Sequence, residues 1–264
     1  MLATGPAHGW QKGYGATDSL PRCSKPVQQE STMPRSDLFS CRTHAVFDAY
    51  GTLLDVHSAV ARHAEAIGPE ADALSALWRV KQLEYTWVLS LSGRFASFWS
   101  LTEQALDYAL AQHPSIDRSL RPALLDAYRD LDAYADVPGT LKALQGAGIR
   151  TAIFSNGDPA MLDRAVSCAG IGAHLDAVLS VEEAGLFKTA PRAYRIVLDR
   201  LGVEPDRVVF CSSNRWDIAG ASAFGFAPVW VNRKGLPDEY PDLPPLRTVD
   251  GLDGLLPRNR IDGE

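Results

Sequence analysis

Four short clusters of polar residues, set along the chain in a fixed order, carry the groups that could do chemistry. They are Asp48-Ala49-Tyr50-Gly51-Thr52, Ser155-Asn156-Gly157, Phe187-Lys188 with Tyr194 six residues after the lysine, and Ser212-Ser213-Asn214-Arg215-Trp216-Asp217. Two carboxylates, one ammonium and several hydroxyl and amide groups gathered in one place suit nucleophilic catalysis on an anion. A carboxylate attacks only while ionised, and burial beside a second carboxylate opposes that state. A lysine within hydrogen-bonding reach counters both effects. Taken singly, the clusters mean little. Asp-x-x-Gly after a strand reads as a plain turn, Ser-Asn-Gly is a common turn tripeptide, and a lone lysine is usually solvated surface. Their weight comes from occurring together, each behind a structural element that could deliver it.

Those elements are legible as well. Ala45-Val46-Phe47 is an apolar run ending at Asp48, as a buried strand feeding a loop would be, and comparable runs occupy 151–154, 177–179, 208–211 and 229–231. Between them lie helical patterns. Tyr194, Val197, Leu198 and Leu201 share one helix face, as do Met161, Leu162, Ala165 and Val166 in a segment opened by Asp158 as N-cap and Pro159 in the first turn. Alternating strand and helix predicts a parallel sheet covered on both faces, so that the clusters converge on one crevice at the strands' carboxyl ends. Residues 57–136 break the alternation and read as helix throughout, which suggests a lid inserted directly after the first strand. The organisation expected is a disordered extension over 1–40, an α/β core over 41–56 and 137–255, a helical cap over 57–136, and a tail over 256–264. Met33 is a candidate natural start.

Composition narrows the function classes. At 264 residues, with 46% hydrophobic and 22% charged residues, the chain has ordinary globular composition. A formal charge of −6 argues against a nucleic-acid partner, although a buried cation can still receive an anionic substrate. Cys23, Cys41, Cys168 and Cys211 show no C-x-x-C spacing, so neither a disulfide framework nor a zinc site is expected. With no membrane-length apolar stretch and no secretion signal, a cytoplasmic protein is the default. The G-x-S-x-G, Walker A and G-x-G-x-x-G motifs are all missing; Gly146 and Gly148 read as a helix stop, and His57 as structural.

The order FDAYGT, FSNG, FK, SSNRWD resembles the haloacid dehalogenase superfamily over about residues 43–231. The resemblance implies a Rossmann-like parallel sheet with helices on both faces and an inserted helical cap. Phosphatases of that superfamily carry D-x-D-x-T, whose second Asp protonates a leaving alcohol; here that position is Tyr50. They also place a magnesium-binding acid where this chain has Ser212. A halide leaves as a stable anion, needing neither proton donor nor phosphoryl-clamping metal. The segment WRVKQLEYTW, residues 78–87, is similar to the cap of the L-2-haloacid dehalogenases.

By that resemblance Asp48 is the nucleophile, and Arg79 receives the halide without changing charge state. Thr52 and Asn214 steady the carboxylates, while Ser155 and Asn156 hold the substrate carboxylate and the departing halide. Lys188 offsets the crowded negative charge, Tyr194 supports the site, Asp217 positions the hydrolytic water, and Ser212 completes the catalytic set. Tyr50, Leu83, Phe98 and Trp216 form an apolar wall, ordinary packing being the even alternative for Leu83 and Trp216. Val80, Thr189 and Arg215 depart from common family residues and bear on substrate range. The expectation is metal- and cofactor-independent hydrolysis of a short (S)-2-haloalkanoate, with no nucleic-acid or membrane partner and a homodimer left open. The alternatives are a small-molecule phosphatase and a non-catalytic carboxylate-binding protein.

Overall fold

The computed structural model describes residues 37–257. Six strands form one parallel sheet: β1 (His44–Phe47), β2 (Arg150–Ser155), β3 (Ala177–Ser180), β4 (Val208–Ser212), β5 (Ala227–Val231) and β6 (Arg247–Val249). Their spatial order is β3-β2-β1-β4-β5-β6. Every residue of β1, β4 and β5 is buried, whereas the edge strands β3 and β6 are mostly half-exposed, as a sheet covered on both faces requires. The chain turns from one direction across the sheet to the other at β1, between β2 and β4, which is where a crevice opens in such folds. Phe47 stands opposite Ile153 and Cys211. Asp48, the next residue, therefore emerges level with the ends of both neighbours.

The insertion after β1 comprises α1 (Ser58–Ala61), α2 (Ala64–Ile67), α3 (Ala71–Leu91), α4 (Phe98–Gln112) and α5 (Arg121–Arg129). α3 and α4 pack along each other. Leu74 and Trp78 on α3 meet a second helix whose Leu101, Ala105 and Leu106 are equally buried. Full burial of each large side chain contributes roughly 1.5–3 kcal/mol. The Trp78 indole also donates to the Thr102 carbonyl at 2.8 Å. The core resumes with α6 (Val137–Gly146), α7 (Pro159–Cys168), α8 (Pro191–Leu201) and α9 (Arg215–Phe224), and α7 and α8 each carry proline in their first turn. No helix among the described residues is long and apolar enough to cross a membrane.

Three features differ from the sequence reading. Leu38 and Phe39, assigned to the extension, are 2% and 1% exposed and belong to the core, so the packed chain begins before position 41; residues 1–36 lie outside the described residues. β6 was not expected, since its three residues, two half-exposed and one exposed, carry no apolar run. Asp158 stands at the N-cap of α7 but makes no side-chain cap bond there, because its carboxylate is engaged elsewhere.

Candidate active site

Asp48 is fixed first by its backbone, whose N–H donates to the Cys211 carbonyl at 2.9 Å and extends the β1–β4 ladder by one bond. Its carboxylate is 7% exposed and meets donors from three clusters. Thr52 Oγ1 and Asn214 Nδ2 donate to Oδ2 at 3.0 and 2.8 Å, with Ser212 Oγ at 3.5 Å, and Lys188 Nζ donates to Oδ1 at 3.1 Å. Ser213, not singled out in the sequence, ties the first cluster to the fourth: its N–H donates to Thr52 Oγ1 at 2.8 Å.

Lys188 bridges the two carboxylates. Its ammonium is fully buried, and it donates to Asp217 Oδ2 at 2.9 Å as well as to Asp48. It lies 4.8 and 5.2 Å from the ring centroids of Phe154 and Phe210, so the cation gains from the ring faces while water is excluded. The second cluster fixes its backbone, since the Lys188 N–H donates to Asn156 Oδ1 at 3.0 Å. Ser155 Oγ accepts the Gly157 N–H at 3.1 Å and shapes the same loop. Burial pushes the Asp217 carboxyl up, and the Lys188 ammonium is the largest influence holding it down. Tyr194 OH donates to Asp217 Oδ1 at 2.7 Å, and its own pKa is driven well up by burial and then by the Asp217 charge, so it stays a donor. Gly220 makes this approach possible: a Cβ there would stand 2.4 Å from the tyrosine oxygen.

Arg79 comes from the insertion. Its guanidinium donates to the Tyr50 carbonyl at 2.9 Å and to Gln82 Oε1 at 2.8 Å, placing a permanent cation on the backbone two residues beyond Asp48. Gln82 is fully buried and is locked in turn by Thr102 Oγ1 and Tyr128 OH, at 2.7 and 3.0 Å from its Nε2. Neither Gln82 nor Tyr128 was singled out in the sequence. The signal for Gln82 was its i+3 spacing from Arg79; Tyr128 carries none. Tyr50 directs its ring into an aromatic cluster, 5.8 Å from both Phe98 and Tyr128. Burial, more than any nearby charge, drives its hydroxyl far up the pKa scale. Gly157 clears space for that ring, since a Cβ would lie 2.7 Å from it.

Leu83 and Trp216 add apolar surface beside this hydrogen-bonded set, Trp216 sharing a cavity wall with Lys188. Leu83 is buried one turn beyond Arg79. Trp216 meets Trp87 edge-on at 5.7 Å and lines a cavity of about 660 Å³ with Leu91, Thr189 and Tyr240. Arg215 is also outside the set, pairing with Asp238 and donating to the carbonyls of Tyr240 and Leu243. A smaller cavity of about 160 Å³ reaches Arg79 and Asn214 past His57, Arg233 and Lys234. His57 Nδ1 is hydrogen-bonded to Ser75 Oγ at 2.7 Å, and burial, followed by the Lys234 charge, lowers its pKa, which suits the structural role expected of it. Among the described residues, no group of three or more His, Cys, Asp or Glu is placed to hold a metal ion.

The chain that carries this set has known relatives. Residues 43–225 match the family model for haloacid dehalogenase-like hydrolases. The chain is 50% identical to (S)-2-haloacid dehalogenase 1 of Pseudomonas sp. (strain CBS-3), over 80% of this chain and 93% of that one. It is 47% identical to (S)-2-haloacid dehalogenase 4A of Burkholderia cepacia, over 80% and 92%. The L-2-haloacid dehalogenase of Xanthobacter autotrophicus, solved with chloropropionic acid covalently bound, superposes with a TM-score of 0.74 at 36% identity, covering 81% of this chain and 97% of that one. With the match running from the strand that delivers Asp48 through the helix that carries Asp217, this chain belongs to the haloacid dehalogenase-like hydrolase family.

Proposed function

We propose that this chain is an (S)-2-haloacid dehalogenase, hydrolysing short 2-haloalkanoates to (R)-2-hydroxyalkanoates through an ester on Asp48. The Asp48 carboxylate attacks C2 from the side opposite the halogen; the carbon–halogen bond breaks with its electron pair, and the halide departs toward Arg79. Ser155 and Asn156 hold the substrate carboxylate. Water then adds to the carbonyl of the Asp48 ester while Asp217 takes its proton, and collapse of the adduct expels the 2-hydroxyalkanoate, which carries that proton away. Asp48 is regenerated with one oxygen from water. The net change is one water consumed and one halide and one proton released. Phe98, Tyr50 and Tyr128 keep bulk water from the reacting atoms, which strengthens every ionic contact.

The observation that carries this reading is the position of Tyr50. Its ring is packed among cap aromatics and only its carbonyl meets Arg79, so the place of a phosphatase's proton donor is filled by a cation's anchor. A departing halide needs a positive charge and no proton. The test is halide release from a panel of 2-haloalkanoates, with and without EDTA, beside p-nitrophenyl phosphate with magnesium. Halide release from the (S) enantiomers that survives chelation is expected. Turnover of the phosphate ester alone, lost in EDTA, would replace this reading with the phosphatase one.

A further inference from the structure

Helix α4 begins with Phe98, and its first amides must find acceptors outside the helix. Of the three at Phe98, Trp99 and Ser100, one is met locally: Ser97 Oγ accepts the Ser100 N–H at 3.1 Å. The other two are met from the core. Asp158 Oδ1 accepts the Phe98 N–H at 2.8 Å, and Oδ2 accepts the Trp99 N–H at 2.7 Å. Asp158 lies 60 residues later in the sequence, directly after Ser155-Asn156-Gly157. One carboxylate thus completes the cap helix's N-terminus, where a negative charge is also favoured by the helix dipole. The Phe98 ring that this bond holds lies 5.8 Å from Tyr50 and 6.2 Å from Phe187, spanning the Asp48 and Lys188 loops.

We infer that Asp158 is a positioning residue: a two-pronged latch that registers the cap on the core and so sets where Phe98 sits over the reacting atoms. The two prongs join a side chain fixed to the loop of Ser155 and Asn156 to the backbone that carries the Phe98 ring against Tyr50 and Phe187. Displacement of either would shift Phe98 relative to Ser155 and Asn156. The loop side of the latch is itself stiff. Ser155 Oγ takes the Gly157 N–H, Ser180 Oγ donates to the Gly157 carbonyl at 2.7 Å, and Tyr50 packs against Gly157. The kinetic part of this inference rests on the proposed function; the structural part does not.

The test uses Asp158→Ala, which removes both acceptors, and Asp158→Asn, which keeps one oxygen and loses the charge. In the resting protein, hydrogen exchange at the Phe98 and Trp99 amides should quicken by roughly tenfold or more in Asp158→Ala, while the α4 interior beyond Leu101 keeps its protection. Turnover of a 2-haloalkanoate by Asp158→Ala should lose roughly tenfold to a hundredfold in kcat/KM, the size of loss that misplacing a group near the chemistry produces. Asp158→Asn should recover part of it. In a double-mutant cycle with Phe98→Leu the two losses should fall well short of adding, because both act through one ring. Additive losses, or unchanged exchange at Phe98 and Trp99, would overturn the inference. If no haloalkanoate is turned over at all, the functional reading fails, and the exchange measurement still decides whether the latch exists.

Discussion

Replacing Lys188 with methionine isolates the charge that the site depends on. Methionine matches the length of the stem and keeps its packing over Phe154 and Phe210, but removes an ammonium that contacts Asp48 at 3.1 Å and Asp217 at 2.9 Å. At an effective dielectric constant of about 20, each contact is worth roughly 5 kcal/mol of attraction, much of it offset by desolvation. Removing one partner from such a buried set costs about 3–5 kcal/mol, because the remaining charges are left without a counterion. The cost depends on pH with a definite sign. Burial already raises the Asp217 carboxyl, and the Lys188 charge opposes that rise, so the variant raises it further. A carboxyl raised on folding favours the fold at pH values below its unfolded value of about 3.9, and that advantage is lost as pH rises through the folded value. Lys188→Met should therefore be least stable relative to wild type near pH 7, and the gap should close as the solution is acidified. Urea unfolding across pH 5–8 reads this directly. With a slope of about 2 kcal/mol/M, the midpoint at pH 7 should fall by roughly 1.5–2.5 M. Equal midpoints at pH 7, or a gap of the same size at every pH, would refute the argument.

Three further outcomes follow from the packing and the site. Gly220→Ala places a methyl 2.4 Å from the Tyr194 oxygen and should displace it from Asp217, lowering kcat by about tenfold or more; wild-type kcat would show that this bond is idle. Arg79→Lys keeps the charge but cannot hold Tyr50 and Gln82 together, and kcat/KM should fall by about a hundredfold; parity with wild type would remove Arg79 from the site. Deleting residues 1–40 takes Leu38 and Phe39 out of the core and should cost roughly 3–5 kcal/mol, seen as a lower urea midpoint, whereas an unchanged midpoint would mean those side chains contribute nothing.

The part of the site that the sequence makes visible is the part that follows strands. Asp48, Ser155 and Ser212 stand at or just beyond buried strand ends, so an apolar run followed by a polar group marks each of them. Lys188 and Asp217 are then brought in by loops and a helix that such a sheet makes predictable. What stayed hidden acts across long separations without local periodicity. Tyr128 reaches Gln82 from 46 positions away and Ser213 reaches Thr52 from 161, and neither bond leaves a trace in its neighbourhood of the chain. Asp158 misled for a related reason. Its position before Pro159 has the form of an N-cap for α7, and the structure spends its carboxylate on α4 instead. Leu38 and Phe39 are two apolar residues among polar ones, too few to show a period, although both pack in the core. The short edge strand β6 was missed on the same ground.

The central claim is that Asp48 itself bonds to carbon, and the fate of one oxygen atom tests it. If Asp48 displaces the halide, inversion occurs at C2 and the water later attacks the ester carbonyl, leaving C2 untouched. Direct attack by water activated by Asp217 inverts C2 as well, so stereochemistry does not separate the two routes. A single turnover of (S)-2-chloropropionate in ¹⁸O-water, with enzyme in excess, does. Label in the peptide that contains Asp48, with unlabelled lactate, is the result this account predicts. Label in the lactate on that first turnover would make Asp48 a general base and contradict it.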